Sequence, residues 1–146
     1  MKLRINRVEL LNNLNKVARA VNSKTPLLAL TGIKFTLSDN QLELIGSDSD
    51  LSIRCVISKE KNEKQIMEIE EIGSIVINEK IICEIIRKVD SEMVEISVVD
   101  DLAKIKSDKS IHSEHGFSMI FIVEVFMVCA HIREHSSLLN TGKWFI

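Results

Sequence analysis

A chain of 146 residues, 45% apolar and 27% charged, has the material for one domain's core and the charge content of an ordinary soluble protein. Its formal net charge of −2 argues against a strongly basic nucleic-acid glove or a polyacidic tail, and Cys55, Cys83 and Cys129 are spaced too widely for a disulfide framework. The first six residues are too short and polar for a signal-peptide core. The most apolar run, 119–130, contains Glu124 and falls short of the ~20 residues that a spanning helix needs. A reducing cytoplasm and no membrane span are therefore expected.

In chain order, Lys2, Leu3, Arg4 and Ile5 alternate as a short half-buried strand. Asn6 suits a helix N-cap, and Glu9 three residues on completes a capping-box pattern. The helix that follows carries Val8, Leu10, Leu11, Leu14, Val17, Ala18 and Val21 on one face and Asn12, Asn13, Lys16 and Arg19 on the other. It should end near Val21, before the loop Asn22-Ser23-Lys24-Thr25-Pro26. A hairpin is expected from Ile33, Phe35 and Leu37, the turn Ser38-Asp39-Asn40, then Leu42 and Leu44. Gly46 to Asp50 reads as a turn into a strand bearing Leu51, Ile53, Cys55 and Ile57. Residues 59–64 form a charged loop, and 66–77 give two strands around a break at 70–73. Asn78 caps a second helix with Ile81, Ile82, Ile85, Ile86 and Val89 on its apolar face and Lys80, Glu84, Arg87 and Lys88 away from it. Residues 93–99 and 102–106 pair across Asp100-Asp101 as a second hairpin. The pattern predicts an α+β domain: a duplicated unit of strand, helix and antiparallel strands, its two helices on one face of a sheet.

No catalytic constellation emerges. Thr141-Gly142-Lys143 lacks the upstream glycine of a phosphate loop. Gly46-Ser47-Asp48-Ser49-Asp50 lacks the central glycine and distal glutamate of a calcium loop, so a strand-entry turn is the better reading. The first 110 residues hold no histidine to serve as a base. His112, His115, Cys129, His131 and His135 form a zinc-like cluster, but no second short cysteine spacing supports it, so no metal or other cofactor is expected. What remains is a set of cations off the apolar faces: Lys16, Arg19, Lys24, Lys80, Arg87 and Lys88. Such a set is either a solvated surface or a stripe that tracks phosphates without reading bases.

Residues 1–7, 30–34, 46–53, 73–77, 84–88 and 94–96 carry a collinear resemblance over about 110 residues. Met1-Lys2-Leu3-Arg4-Ile5-Asn6-Arg7 and Gly46-Ser47-Asp48-Ser49-Asp50-Leu51-Ser52-Ile53 are its clearest stretches. The text resembles the N-terminal domain of the bacterial sliding clamp, the beta subunit of DNA polymerase III, in its Gram-positive form. The resemblance implies a non-catalytic DNA-replication protein, part of a ring that encircles duplex DNA and tethers the polymerase. Its helices would line the hole and meet phosphates loosely. Lys24 matches a basic loop position and Lys80 one at the start of the second helix, while Lys16, Arg19, Arg87 and Lys88 join them on helix geometry. Relatives place the proline of Pro26 two residues later, where Leu28 stands. The family's second and third domains, with the cleft for polymerase and loader peptides, have no counterpart here. The ring-closing edge would lie at Leu102, Lys104 and Lys106.

Beyond Ser110 the text changes. Five of the six aromatics and all four histidines fall in 111–146, which hold only 2 of the 19 Lys/Arg and 3 of the 21 Asp/Glu. Relatives continue with Phe-Thr-Leu-Asn, the domain's last strand. Codons compatible with residues 111–117, read one base later, give Phe-Thr-Leu-Asn-Met-Asp; Met119-Ile120 puts a stop in that frame, so a second slip is required. The expected division is therefore a clamp domain at 1–110 lacking its last strand, and a non-family, out-of-frame tail at 111–146. That tail is either poorly ordered or patches the open sheet edge through 119–130. The alternatives to a DNA-contacting clamp domain are an inactive fragment, a module that binds the third domain of an intact clamp, and a tail that binds zinc.

Overall fold

Strict alternation of apolar side chains builds the strands, and a computed structural model describes residues 1–22, 25, 28–61, 63–99, 102–107 and 120–124, with 28, 29 and 120–124 in their backbone alone. The order is β1 (Lys2–Asn6), α1 (Arg7–Val17), 3-10 turns at Ala18–Ala20 and Leu28–Thr31, β2 (Gly32–Leu37), β3 (Gln41–Ser47) and β4 (Ser52–Ser58). Then come β5 (Glu60–Lys61), β6 (Lys64–Gln65), β7 (Met67–Glu71), β8 (Gly73–Asn78), α2 (Glu79–Lys88), β9 (Met93–Val99), β10 (Leu102–Ser107) and β11 (Ile120–Glu124).

The duplicated α+β unit is present, but where one sheet was expected its strands divide between two main antiparallel sheets, with β5 and β6 forming a separate two-stranded ribbon in the expected charged loop. A five-stranded sheet runs β11-β10-β9-β1-β7 and a four-stranded sheet runs β4-β3-β2-β8. The strand before each helix crosses to the other half. β1 pairs with β9, in register Leu3↔Ile96 and Ile5↔Val94, while β8 pairs with β2, in register Ile33↔Ile77 and Phe35↔Ile75. Two small meanders are thus each completed by a strand from the other.

One apolar cluster joins both sheets and both helices, with Leu3, Ile5, Leu10, Leu14, Phe35, Leu44, Ile82, Ile86 and Ile96 fully buried. The helices pack on one another; α1 also touches β1, β3 and β4, and α2 touches β8. Gly46 makes the contact between α1 and β3 close. A Cβ there would sit 2.7 Å from the carbonyl oxygen of Val17 and 2.8 Å from the Val21 side chain, so α1 can settle on β3 only over a bare backbone.

Local expectations change in four places. α-helical geometry ends at Val17, and Ala18–Ala20 tightens into a 3-10 turn, as helix ends commonly do. Asn6 caps α1 by accepting from the backbone N–H groups of Val8 (3.0 Å) and Glu9 (3.2 Å), but the capping box is not closed. Glu9 instead accepts from Lys61 Nζ at 2.9 Å, and the Asn6 N–H goes to the Ile66 carbonyl. Val8 and Ile81, each assigned to an apolar face, stand 53% and 44% exposed. In α2 the buried arc is centred on Ile82 and Ile86 and reaches Cys83 rather than Ile81. At 100° per residue, that turns Ile81 to solvent. The turn at 48–51 is an Asx turn: the Asp48 carboxylate accepts from Asp50 N (3.1 Å) and Leu51 N (2.9 Å), leaving Ser49 at φ 93°. Those N–H groups hold the Asp48 carboxyl below its usual range.

Candidate nucleic-acid interface

Both helices bury one stripe and present the other. In α1, Leu10, Leu14 and Val17 go inward, which turns Lys16 outward; the 3-10 turn then leaves Arg19 exposed while Ala20 is buried. Lys16 Nζ donates to Asn13 Oδ1 at 3.5 Å, a weak tether on an exposed side chain. In α2, Asn78 accepts the Ile81 N–H at 3.3 Å, and burial of Ile82, Cys83, Ile85 and Ile86 leaves Lys80, Glu84, Arg87 and Lys88 in solvent. Arg87 and Lys88 occupy the last turn, where the helix dipole favours cations.

Lys80, Arg87 and Lys88 therefore come together. With Glu79, Cys83 and Glu84 they line a shallow groove of about 340 Å³ along α2. Lys88 Nζ lies 2.5 Å from Glu84 Oε1, and the lysine, with a smaller contribution from Arg87, keeps the Glu84 carboxyl below its usual range. At the groove floor burial pushes the Cys83 thiol up to about 11, and neighbouring Glu79 adds to the effect. Cys83 therefore holds its proton at neutral pH and offers no thiolate nucleophile. The groove can attract anions, but it has no paired base for covalent chemistry.

Lys16 lies on α1, which packs against α2, and Arg19 lies on the 3-10 turn that continues α1, so five of the six expected cations belong to this helix pair and its extension. Lys24 and Pro26 lie outside the described residues, as do His112, His115, Cys129, His131 and His135. Among the described residues no three His, Cys, Asp or Glu side chains gather as a metal site would require, and no helix is long and apolar enough to cross a membrane.

The expected edge at Leu102, Lys104 and Lys106 lies one strand further out. β10 has β9 on one side and β11 on the other, with Leu102↔Glu124, Lys104↔Ile122 and Lys106↔Ile120, so its backbone groups are already engaged. Lys106 also pairs with Glu95 at 3.4 Å. Among the described residues the edge belongs to β11. Glu84, placed by the sequence on the outward face of the second helix, was not set against the cations beside it. Its signal was the four-residue spacing to Lys88.

A family model, DNA polymerase III beta subunit, N-terminal domain, matches residues 1–120. This chain belongs to that family. The match to the beta-subunit model runs past Ser110 and ends at the first residue of β11. The beta sliding clamp of Bacillus subtilis (strain 168) is 39% identical over 139 residues, 94% of this chain and 36% of that protein. The beta sliding clamp of Halalkalibacterium halodurans is 37% identical over 113 residues, 77% of this chain and 30% of that protein. The crystal structure of the DNA polymerase sliding clamp from Bacillus subtilis superposes with a TM-score of 0.72 at 36% identity, over 85% of this chain and 31% of that one. The chain thus spans about a third of the length of these beta-subunit relatives.

Proposed function

We propose that this chain supplies the N-terminal domain of a DNA-replication clamp and meets duplex DNA through the cations of its two helices. The supporting observation is the outward stand of Lys16, Arg19, Lys80, Arg87 and Lys88 on one packed helix pair and its 3-10 extension in a beta-subunit domain. Exposed lysines and arginines on helices reach phosphates without reading base edges, so contact is independent of sequence and gives way easily. The role is non-catalytic and cytoplasmic, an accessory to a polymerase that other parts of a clamp would hold. Titration onto a labelled duplex of mixed sequence tests it. Binding should be weak and equal for unrelated sequences, and log K should fall with log salt at about −0.9 per phosphate contacted. Sequence preference, or no retention even at low salt, would refute it.

A second reading is favoured by β11, whose outer side has no strand neighbour among the described residues. That edge, with Leu102, Lys104 and Lys106 one strand behind it, would dock on the third domain of an intact clamp. Pull-down with an intact clamp tests this, and failure to retain the chain would remove it.

A further inference from the structure

The cations of α2 share their face with an acid. At 100° per residue the outward arc runs Arg87, Lys80, Glu84, Lys88, which puts Glu84 between the other three charges. Its carboxylate takes Lys88 Nζ at 2.5 Å with both side chains more than half exposed. Glu79 faces Cys83 at the head of the groove and is half-buried, so Glu84 is the acid that an approaching anion meets. An exposed i,i+4 pair of this kind is worth only about a twofold preference, weak enough for a phosphate to compete for the lysine.

The geometry points to Glu84 as an internal competitor for phosphate on α2: it occupies Lys88 and repels the incoming backbone, leaving Lys80 and Arg87 to make first contact. This rests on the phosphate reading of the same face and adds the residue that sets its strength. Loose contact then depends on a built-in rival as well as on solvent and salt. A duplex shifting along the groove finds Lys88 alternately free and engaged.

The test uses the full chain and a labelled mixed-sequence duplex across a series of salt concentrations. Glu84→Gln should bind roughly two- to fivefold tighter at low salt, and its salt slope should steepen by about 0.9, the mark of one more phosphate contact. Glu43→Gln is the control for net charge. It removes the same charge from a 2.7 Å pair with Arg54 on the β3–β4 face, and its slope should match the parent. In a Lys88→Ala background Glu84→Gln should leave the slope where Lys88→Ala alone puts it. An unchanged slope in Glu84→Gln, an equal steepening in Glu43→Gln, or a steepening that persists without Lys88 each overturns the inference while leaving the phosphate reading intact. If the parent chain shows no salt-dependent binding, both fall together.

Discussion

At the scale of single residues, Cys83 shows how one buried group couples stability to pH. Burial, reinforced by Glu79, raises its thiol from the ordinary 9.0 to about 11. The folded chain therefore keeps a proton that the unfolded chain gives up first. The stabilisation is complete below the unfolded value and is lost as pH climbs from 9.0 to about 11. Urea unfolding across that window should show a loss of about 1–2 kcal/mol in the parent that is absent from Cys83→Ala. Parallel curves for the two proteins would show that the thiol does not contribute. Residue-level legibility was uneven for physical reasons. Asn6 and Asn78 were readable as caps because capping is local in sequence. The diversion of Glu9 to Lys61, and the need for a bare backbone at Gly46 beneath Val17, arise between segments far apart in the chain, where periodicity carries no information.

At the scale of elements, α2 is held by its surroundings. Its four isoleucines lower intrinsic helicity, so the segment depends on the contacts of Ile82, Ile85 and Ile86. Ile82→Ala should cost about 2–5 kcal/mol in chemical denaturation, whereas Ile81→Ala, one position away and 44% exposed, should cost under about 1 kcal/mol. Similar losses at both positions would contradict the rotation of the buried arc. The sequence pattern located the helix and all of its cations, and it misjudged the arc by one residue on each flank. An apolar stripe fixes the middle of a face, and its margins are set by how the neighbouring sheet curves. Ile81 and Cys83 occupy those margins.

At the scale of the whole molecule, strand alternation announced which side chains were buried and said nothing about which strand would lie beside which. The crossing of β1 and β8 was therefore out of reach, although each strand was individually legible. That crossing makes the halves mutually dependent, because the four-stranded sheet lacks β8 and the five-stranded sheet lacks β1 and β7 until the other half is present. Separate fragments covering residues 1–71 and 72–146 should show little ordered structure by circular dichroism and amide dispersion, and should recover it on mixing. Independent folding of either fragment would contradict this dependence.

The position of β1 also bears on the chain's synthesis. β1 is translated before both of its neighbours in the five-stranded sheet, β7 on one flank and β9 on the other. Neither partner exists until dozens of further residues have been translated, so this stretch must wait with both edges open. The four-stranded sheet can begin earlier, because β2, β3 and β4 follow one another directly, although it too is finished only by β8. Folding during translation should therefore proceed from the inside of the sequence outward. β1 is then the segment most in need of a holding chaperone, and closure comes only after β9 has emerged.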